Sequence, residues 1–203
     1  MGHNSFTKNQ FALEYIPHRL AALELCVLAC DSVLMKGPRP ESFSINIGIL
    51  EIQGQKSDPV LGALIDSGIM AIRSVLNFLG IKLNNGTLVN ASYALTIESF
   101  DLPLVPLNKA ISILSPKLEP DTLKNIWIEA LITASKSTAH FTEGGGTIIV
   151  NRLAYAAYAA SLLLRKHFFE ATGTPKPDCL IPDLYIPDFS PEKILTNNGQ
   201  HIQ

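Results

Sequence analysis

Along this chain apolar residues recur every three to four positions far more often than they alternate, so helix is the dominant expectation. Over residues 11–35 the set Leu13, Ile16, Leu20, Leu23, Val27, Cys30 and Leu34 follows that period, and Gly37-Pro38 stops it. Pro17 falls early enough to mark a start or a kink in the first turn. A second helix is expected where Asp58-Pro59 supplies a cap and a proline at the first helical position; it runs over 60–79 and ends at Gly80. Pro120-Asp121 opens a third, which carries Ile126, Ile128, Leu131 and Ile132 toward His140 before Gly144-Gly145-Gly146 breaks it. The fourth runs over about 147–172 and stops at Gly173. Its centre is rich in alanine, so neighbouring helices can approach it closely. Four long helices with short or irregular links imply an all-α fold, a helical bundle of four long helices plus short helices.

The intervening segments are less regular. Within 38–57, Phe43, Ile45, Ile47 and Ile49 alternate as a strand would, but no partner strand is obvious, so a loop with a short helix is expected. Asn84-Asn85-Gly86 reads as a turn, and residues 88–106, with Pro103 and Pro106, as a mixed connection holding one short helix. Another short helix is expected over 107–114, bounded by Ser115-Pro116. After Gly173, Pro175, Pro177, Pro182 and Pro187 exclude helix, while Leu180, Ile181, Leu184, Tyr185 and Phe189 are too apolar to stay in water. The expected organisation is a helical bundle domain, 1–173, and an extended Pro-rich C-terminal arm and tail, 174–203. That arm would lie across its own bundle or a neighbouring subunit, with 194–203 disordered.

Composition sharpens this picture. The 203 residues suffice for one well-filled core, and with 47% hydrophobic but only 17% charged residues the surface must carry much apolar area. A homodimer or higher homo-oligomer is therefore expected. The net charge of −2 is made of interspersed charges with no basic stripe, which argues against a dedicated nucleic-acid clamp but leaves room for a small site contacting RNA or a nucleotide. Cys26, Cys30 and Cys179 are too few for a disulfide framework and suit a reduced cytoplasmic setting. Cys26 and Cys30 lie four apart with no histidine at helical spacing, so they read as core, and no metal or cofactor is expected. No apolar leader follows Met1, and no segment reaches the roughly 18 uninterrupted apolar residues of a membrane span. No membrane is expected, and Asn85-Gly86-Thr87 and Asn90-Ala91-Ser92 are then fortuitous sequons.

Chemistry concentrates where the third helix runs into the glycine loop, in Ser135-Lys136-Ser137-Thr138-Ala139-His140-Phe141-Thr142. Lys136 and His140 are four apart and share a helix face. An imidazole titrating near neutrality can move protons, and a nearby ammonium can steady negative charge on a phosphate or oxyanion. The same histidine could instead cap the last carbonyls of its helix. Arg73 interrupts an apolar stretch of the second helix and needs an anion, with Asp66 or Glu129 as candidate partners. Thr147 follows the three glycines at a helix start, where free amides attract anions, although the spacing is not that of a P-loop. His140 and Lys136 are thus the candidate catalytic residues; Arg73, Ser137, Thr142 and Thr147 are candidate ligand contacts. His18-Arg19, near the start of the first helix, hints at a further carboxylate partner.

An apolar helix ending in Ser-Lys-Ser-Thr-Ala-His-Phe-Thr, a short polar loop and a long final helix ending in Leu163-Leu164-Arg165-Lys166-His167-Phe168-Phe169 resembles the helical bundles of the HEPN superfamily, over residues 58–173. The resemblance implies a dimer, many of whose relatives are RNases of toxin–antitoxin and phage-defence systems. Their active members carry an arginine separated from the histidine by four to six intervening residues. Counting back from His140 with that spacing reaches Ser135, Ala134 or Thr133, and Lys136 is closer still. Lysine keeps the charge but lacks the bidentate fork of arginine. What the resemblance implies is therefore a non-catalytic or weakly RNA- or nucleotide-binding relative. The alternative is a non-enzymatic homo-oligomeric interaction protein with no chemistry at His140.

Overall fold

The computed structural model describes residues 7–34, 42–47, 49–92, 95–139 and 148–181. His140, Thr142, the glycines 144–146, Thr147, the stop at 37–38 and the C-terminal tail from 182 onward lie outside the described residues. The chain is mainly helical, and among the described residues four short strands pair as two hairpins.

Helix α1 spans 8–34. Thr7 caps it by accepting from Gln10 N–H at 3.2 Å while the Gln10 side chain accepts from Thr7 N–H, a reciprocal capping box. Within it Phe11–Tyr15 forms a widened turn in which Ile16 N–H reaches back to Phe11 O. This wide turn lies immediately before Pro17, whose ring would otherwise press on the preceding turn of an ideal helix. The kink expected from Pro17 thus takes the form of a π turn.

Residues 42–54 depart from the sequence expectation of a loop with a short helix. Strands β1, Phe43–Ile47, and β2, Leu50–Gly54, pair antiparallel, with Phe43 opposite Gly54, Ile45 opposite Ile52 and Ile47 opposite Leu50. The missing partner of the alternating stretch is the segment that directly follows it. The Phe43 ring lies across Gly54, where any Cβ would collide with it. Only a glycine opposite Phe43 leaves that ring room on the sheet face.

Helix α2 is Asp58–Phe78. Its cap sits one residue earlier than expected: Ser57 O accepts from Val60 and Leu61 N–H at 3.0 Å, placing Pro59 in the first turn, where its missing N–H costs nothing. By length and composition α2 could cross a membrane, with a mean hydropathy of 1.5 over its most apolar window. Its inward stripe, Ile65, Ile69, Ile72, Val75 and Leu76, packs into the core. The approach of α2 to α1 is set by Gly68, where a Cβ would collide with Cys26. Gly80, at φ +83°, ends the helix in the left-handed region.

A second hairpin follows, β3, Ile81–Asn84, and β4, Thr87–Asn90. The turn expected at Asn84-Asn85-Gly86 joins these strands, with Asn85 at φ +47° and Gly86 at φ +78°. Two positive φ values are what a two-residue hairpin turn with the right twist demands. Asn90 then locks the corner: its side-chain amide donates to Gly80 O at 3.1 Å and Val105 O at 2.8 Å and accepts from Leu107 N–H at 2.9 Å. A turn of 3-10 helix, Ile97–Phe100, and the short helix α3, Leu107–Ile111, complete the connection.

Helix α4 is Pro120–Ala139, and α5 spans 150–172, ending at Gly173 with φ +65°. Helix α5 packs on α1, α2 and α4, and α2 packs on α1 and α4. Ala154, Ala156, Ala157, Ala159 and Ala160 are all buried, so α5 is surrounded rather than one-sided. Trp127 of α4 is fully buried, and its indole N–H donates to Ala156 O at 3.2 Å, so a bulky anchor is also a satisfied one. Cys26 and Cys30 are core residues, as their apolar surroundings suggested. Their mutual hydrogen bond and their burial raise the Cys30 thiol pKa well above its ordinary value.

Candidate functional site

The polar cluster singled out in the sequence lies at the end of α4, close to where α5 begins. Lys136 is exposed in the last turn of α4, where a cation favours the helix dipole. Thr133, one turn earlier, is buried, and the Ser135 hydroxyl donates to Leu131 O at 2.9 Å, its own helix one turn back. Of the other expected site residues, Ser137 falls in the last turn of α4 but its side chain lies outside the described part, as do His140, Thr142 and Thr147.

Seven residues before Lys136, hence on the same face about 10 Å along the axis, Glu129 binds Arg152 of α5 at 2.7 Å. Arg152 occupies the first turn of α5, where the helix dipole disfavours a cation. Glu129 offsets that cost, but Arg152 Nε is buried with no acceptor among the described residues. Sequence reasoning missed Arg152 as a site residue, although a lone arginine opening an apolar helix is the same signal that drew attention to Arg19. What the described part of the junction offers chemically is two cations, one exposed and one anchored.

Arg73, expected to seek Glu129 or Asp66, is half-buried on α2 and makes no ion pair with a described residue; Glu129 is taken by Arg152 and Asp66 is exposed. Arg19 lines a pocket of about 180 Å³ between α1 and α2, with Phe11, Tyr15, Ser74 and Phe78 around it. At its lining the Tyr15 ring stacks on Phe11 at 5.5 Å.

The most elaborate polar constellation is elsewhere and is internal. Glu24 on α1 and Arg165 on α5 are buried together at 2.6 Å. Arg165 lies in a second π turn, Arg165–Phe169, which buries Arg165, Phe168 and Phe169 alike by adding a residue to the turn. Its remaining donors reach Pro177 O at 2.9 Å and Asp178 O at 3.2 Å, while Glu24 accepts from Leu180 N–H at 2.8 Å. Both charges are thereby satisfied, and residues 177–180 are fastened to two helices. Nothing is left over for a ligand, so the cluster is a structural clasp.

Nearby, desolvation lowers the His167 pKa, and the charges of Lys166 and Lys109 lower it further against a smaller opposing effect of Glu170. Tyr158 is pushed the other way, up, by burial and then by Cys179. No family model matches the chain, and no curated protein or solved structure is significantly similar to it.

Proposed function

We propose that this chain is a non-enzymatic, self-associating helical interaction protein, and that the β1–β2 hairpin is its docking element. The observation that carries this reading is the placement of the hairpin's apolar residues. Phe43, Ile45 and Ile52 share one face, and among the described residues none of them belongs to the hydrophobic core; Phe43 and Ile45 are half-buried, Ile52 is exposed, and Ile49 at the tip is fully exposed. A two-stranded hairpin is marginal in water by itself and gains stability when its apolar face is covered. Leaving branched residues in solvent at a projecting tip marks an association surface. The lean charge content of the chain points the same way. Sedimentation velocity over a wide concentration range should give a mass of twice the 22.1 kDa chain or more. A single monomeric species throughout would remove the reading. Buried free thiols at Cys26 and Cys30 fit a reducing, cytoplasmic setting for it.

The α4–α5 junction favours a second reading, a HEPN-like dimer of the defence or toxin–antitoxin type that contacts RNA or a nucleotide without cutting it. Lys136, exposed above the Glu129–Arg152 pair, supports it. A phosphate bound there would be held by point charges and would feel salt strongly. In fluorescence anisotropy at low salt, wild type should bind a short single-stranded RNA, and Lys136→Ala should weaken that binding and flatten its salt dependence by about one counterion. Equal binding by both proteins would exclude the junction as the contact.

A further inference from the structure

We infer that the outer edge of β1 pairs with the same edge of a second copy, joining two hairpins into one four-stranded antiparallel sheet across a two-fold axis. The inference rests on the self-association reading above and names its interface. In a hairpin whose loop has two residues, the flanking pair, here Ile47 and Leu50, exchanges both ladder hydrogen bonds, and bonded and non-bonded pairs then alternate. Ile45 and Phe43 therefore point their backbone groups at β2. Ser44 and Asn46 point theirs outward, to an edge that no described strand occupies.

The sequence of that edge, Phe-Ser-Ile-Asn-Ile, is self-complementary. Turned about a two-fold axis through Ile45, Ser44 meets Asn46 of the other copy and Phe43 meets Ile47. Every outward N–H then finds an outward C=O, giving four backbone bonds between copies. Side-chain parity also holds: the apolar residues of both copies fall on one face and the polar ones on the other. Edges that must stay free carry charge or proline, and β1 carries neither. The opposite edge differs, because the outward residues of β2 are Glu51 and Gln53. Turned about an axis through Ile52, Glu51 would meet Gln53 of the other copy, with the two carboxylates diagonal to each other on one face of the joined edge. The β1 edge is thus the one fitted to a copy of itself, and the joined sheet has the strand number at which an apolar face becomes stable.

Two independent probes test this on the full chain. Asn46→Pro removes one outward N–H while sparing the bonds within the hairpin, whereas Gln53→Pro does the same on the other edge. Sedimentation should show loss of the dimer for Asn46→Pro alone, with unchanged circular dichroism. Separately, Ile45→Cys in a Cys179→Ser background places two thiols opposite each other at a non-bonded pair, where the Cα spacing of about 4.5 Å suits a disulfide. Mild oxidation should convert it to a covalent dimer, while Ile52→Cys in the same background should not cross-link. If wild type is dimeric but Asn46→Pro leaves the dimer intact and Ile45→Cys fails to cross-link, the β1 edge is overturned and self-association stands. A wild type that is monomeric at every concentration overturns both.

Discussion

Helix α5 and the β1–β2 hairpin are both rich in apolar residues, and they meet opposite fates. Around α5 three helices close in, its alanines leave no gap, and even the charged Arg165 is satisfied inside. Among the described residues the hairpin's Phe43 and Ile45 are half-buried but lie outside the core, and Ile49 at its tip is exposed. The contrast shows that apolar content alone does not place a segment inside. Small side chains and a satisfied polar partner let α5 be surrounded, whereas no described helix covers the hairpin's one apolar face. One region is finished within the chain, and the other is where the proposed self-association would finish it.

The sharpest way to break the finished region is to orphan its charge. Arg165→Ala leaves Glu24 buried without a counterion and releases two strap carbonyls, which should lower unfolding stability by about 3–5 kcal/mol in urea titration. Replacing both partners, Glu24→Leu with Arg165→Met, should recover part of that loss, since no uncompensated charge remains. A double variant no better than the single one would show that the strap, rather than the charge, dominates.

A smaller effect follows from His167. Its folded-state pKa lies below that of the unfolded chain, because burial and neighbouring lysines disfavour the imidazolium. The unfolded state therefore binds its proton first on acidification. Its contribution is fully present above the ordinary histidine value of about 6.5 and is lost as pH falls through the lowered folded value. Thermal melts from pH 7.5 to 5 should show a loss of Tm that is reduced in His167→Gln. An identical pH profile in the two proteins would contradict that assignment.

The smallest change in folding is expected from the unfinished region. Ile52→Ser should alter unfolding of the isolated chain by no more than about 0.5 kcal/mol, as exposed substitutions do, yet weaken self-association measured by sedimentation. A large drop in stability with unchanged association would reverse the comparison, making the hairpin part of the body.

Much of the helical framework was legible in the residues. The apolar period, Pro59 in a first turn, and glycines at 80 and 173 mark α2 and the end of α5 because caps and periodicity act within a few residues. The two hairpins were not, although each left a local trace. Gly48-Ile49 between alternating stretches fits a two-residue hairpin loop, and Asn85-Gly86 fits another. The first is faint because the alternating stretch finds its partner only in the segment that directly follows it. At the α4–α5 junction, Lys136 was legible from helical spacing, while Arg152 emerged only once α5 was set beside α4.

By itself, then, the sequence determined the long helical stretches and the glycine stops at 80 and 173. Those properties depend on neighbours one to four residues away, and local sterics and hydrogen bonding decide them. Only the tertiary structure decided that Glu24 meets Arg165 across 141 residues, that Glu129 takes Arg152 rather than Arg73, and that Phe43 and Ile45 stay outside the core. Pairings of that range depend on how whole helices pack, and no local pattern records which of several oppositely charged partners the packing will bring together.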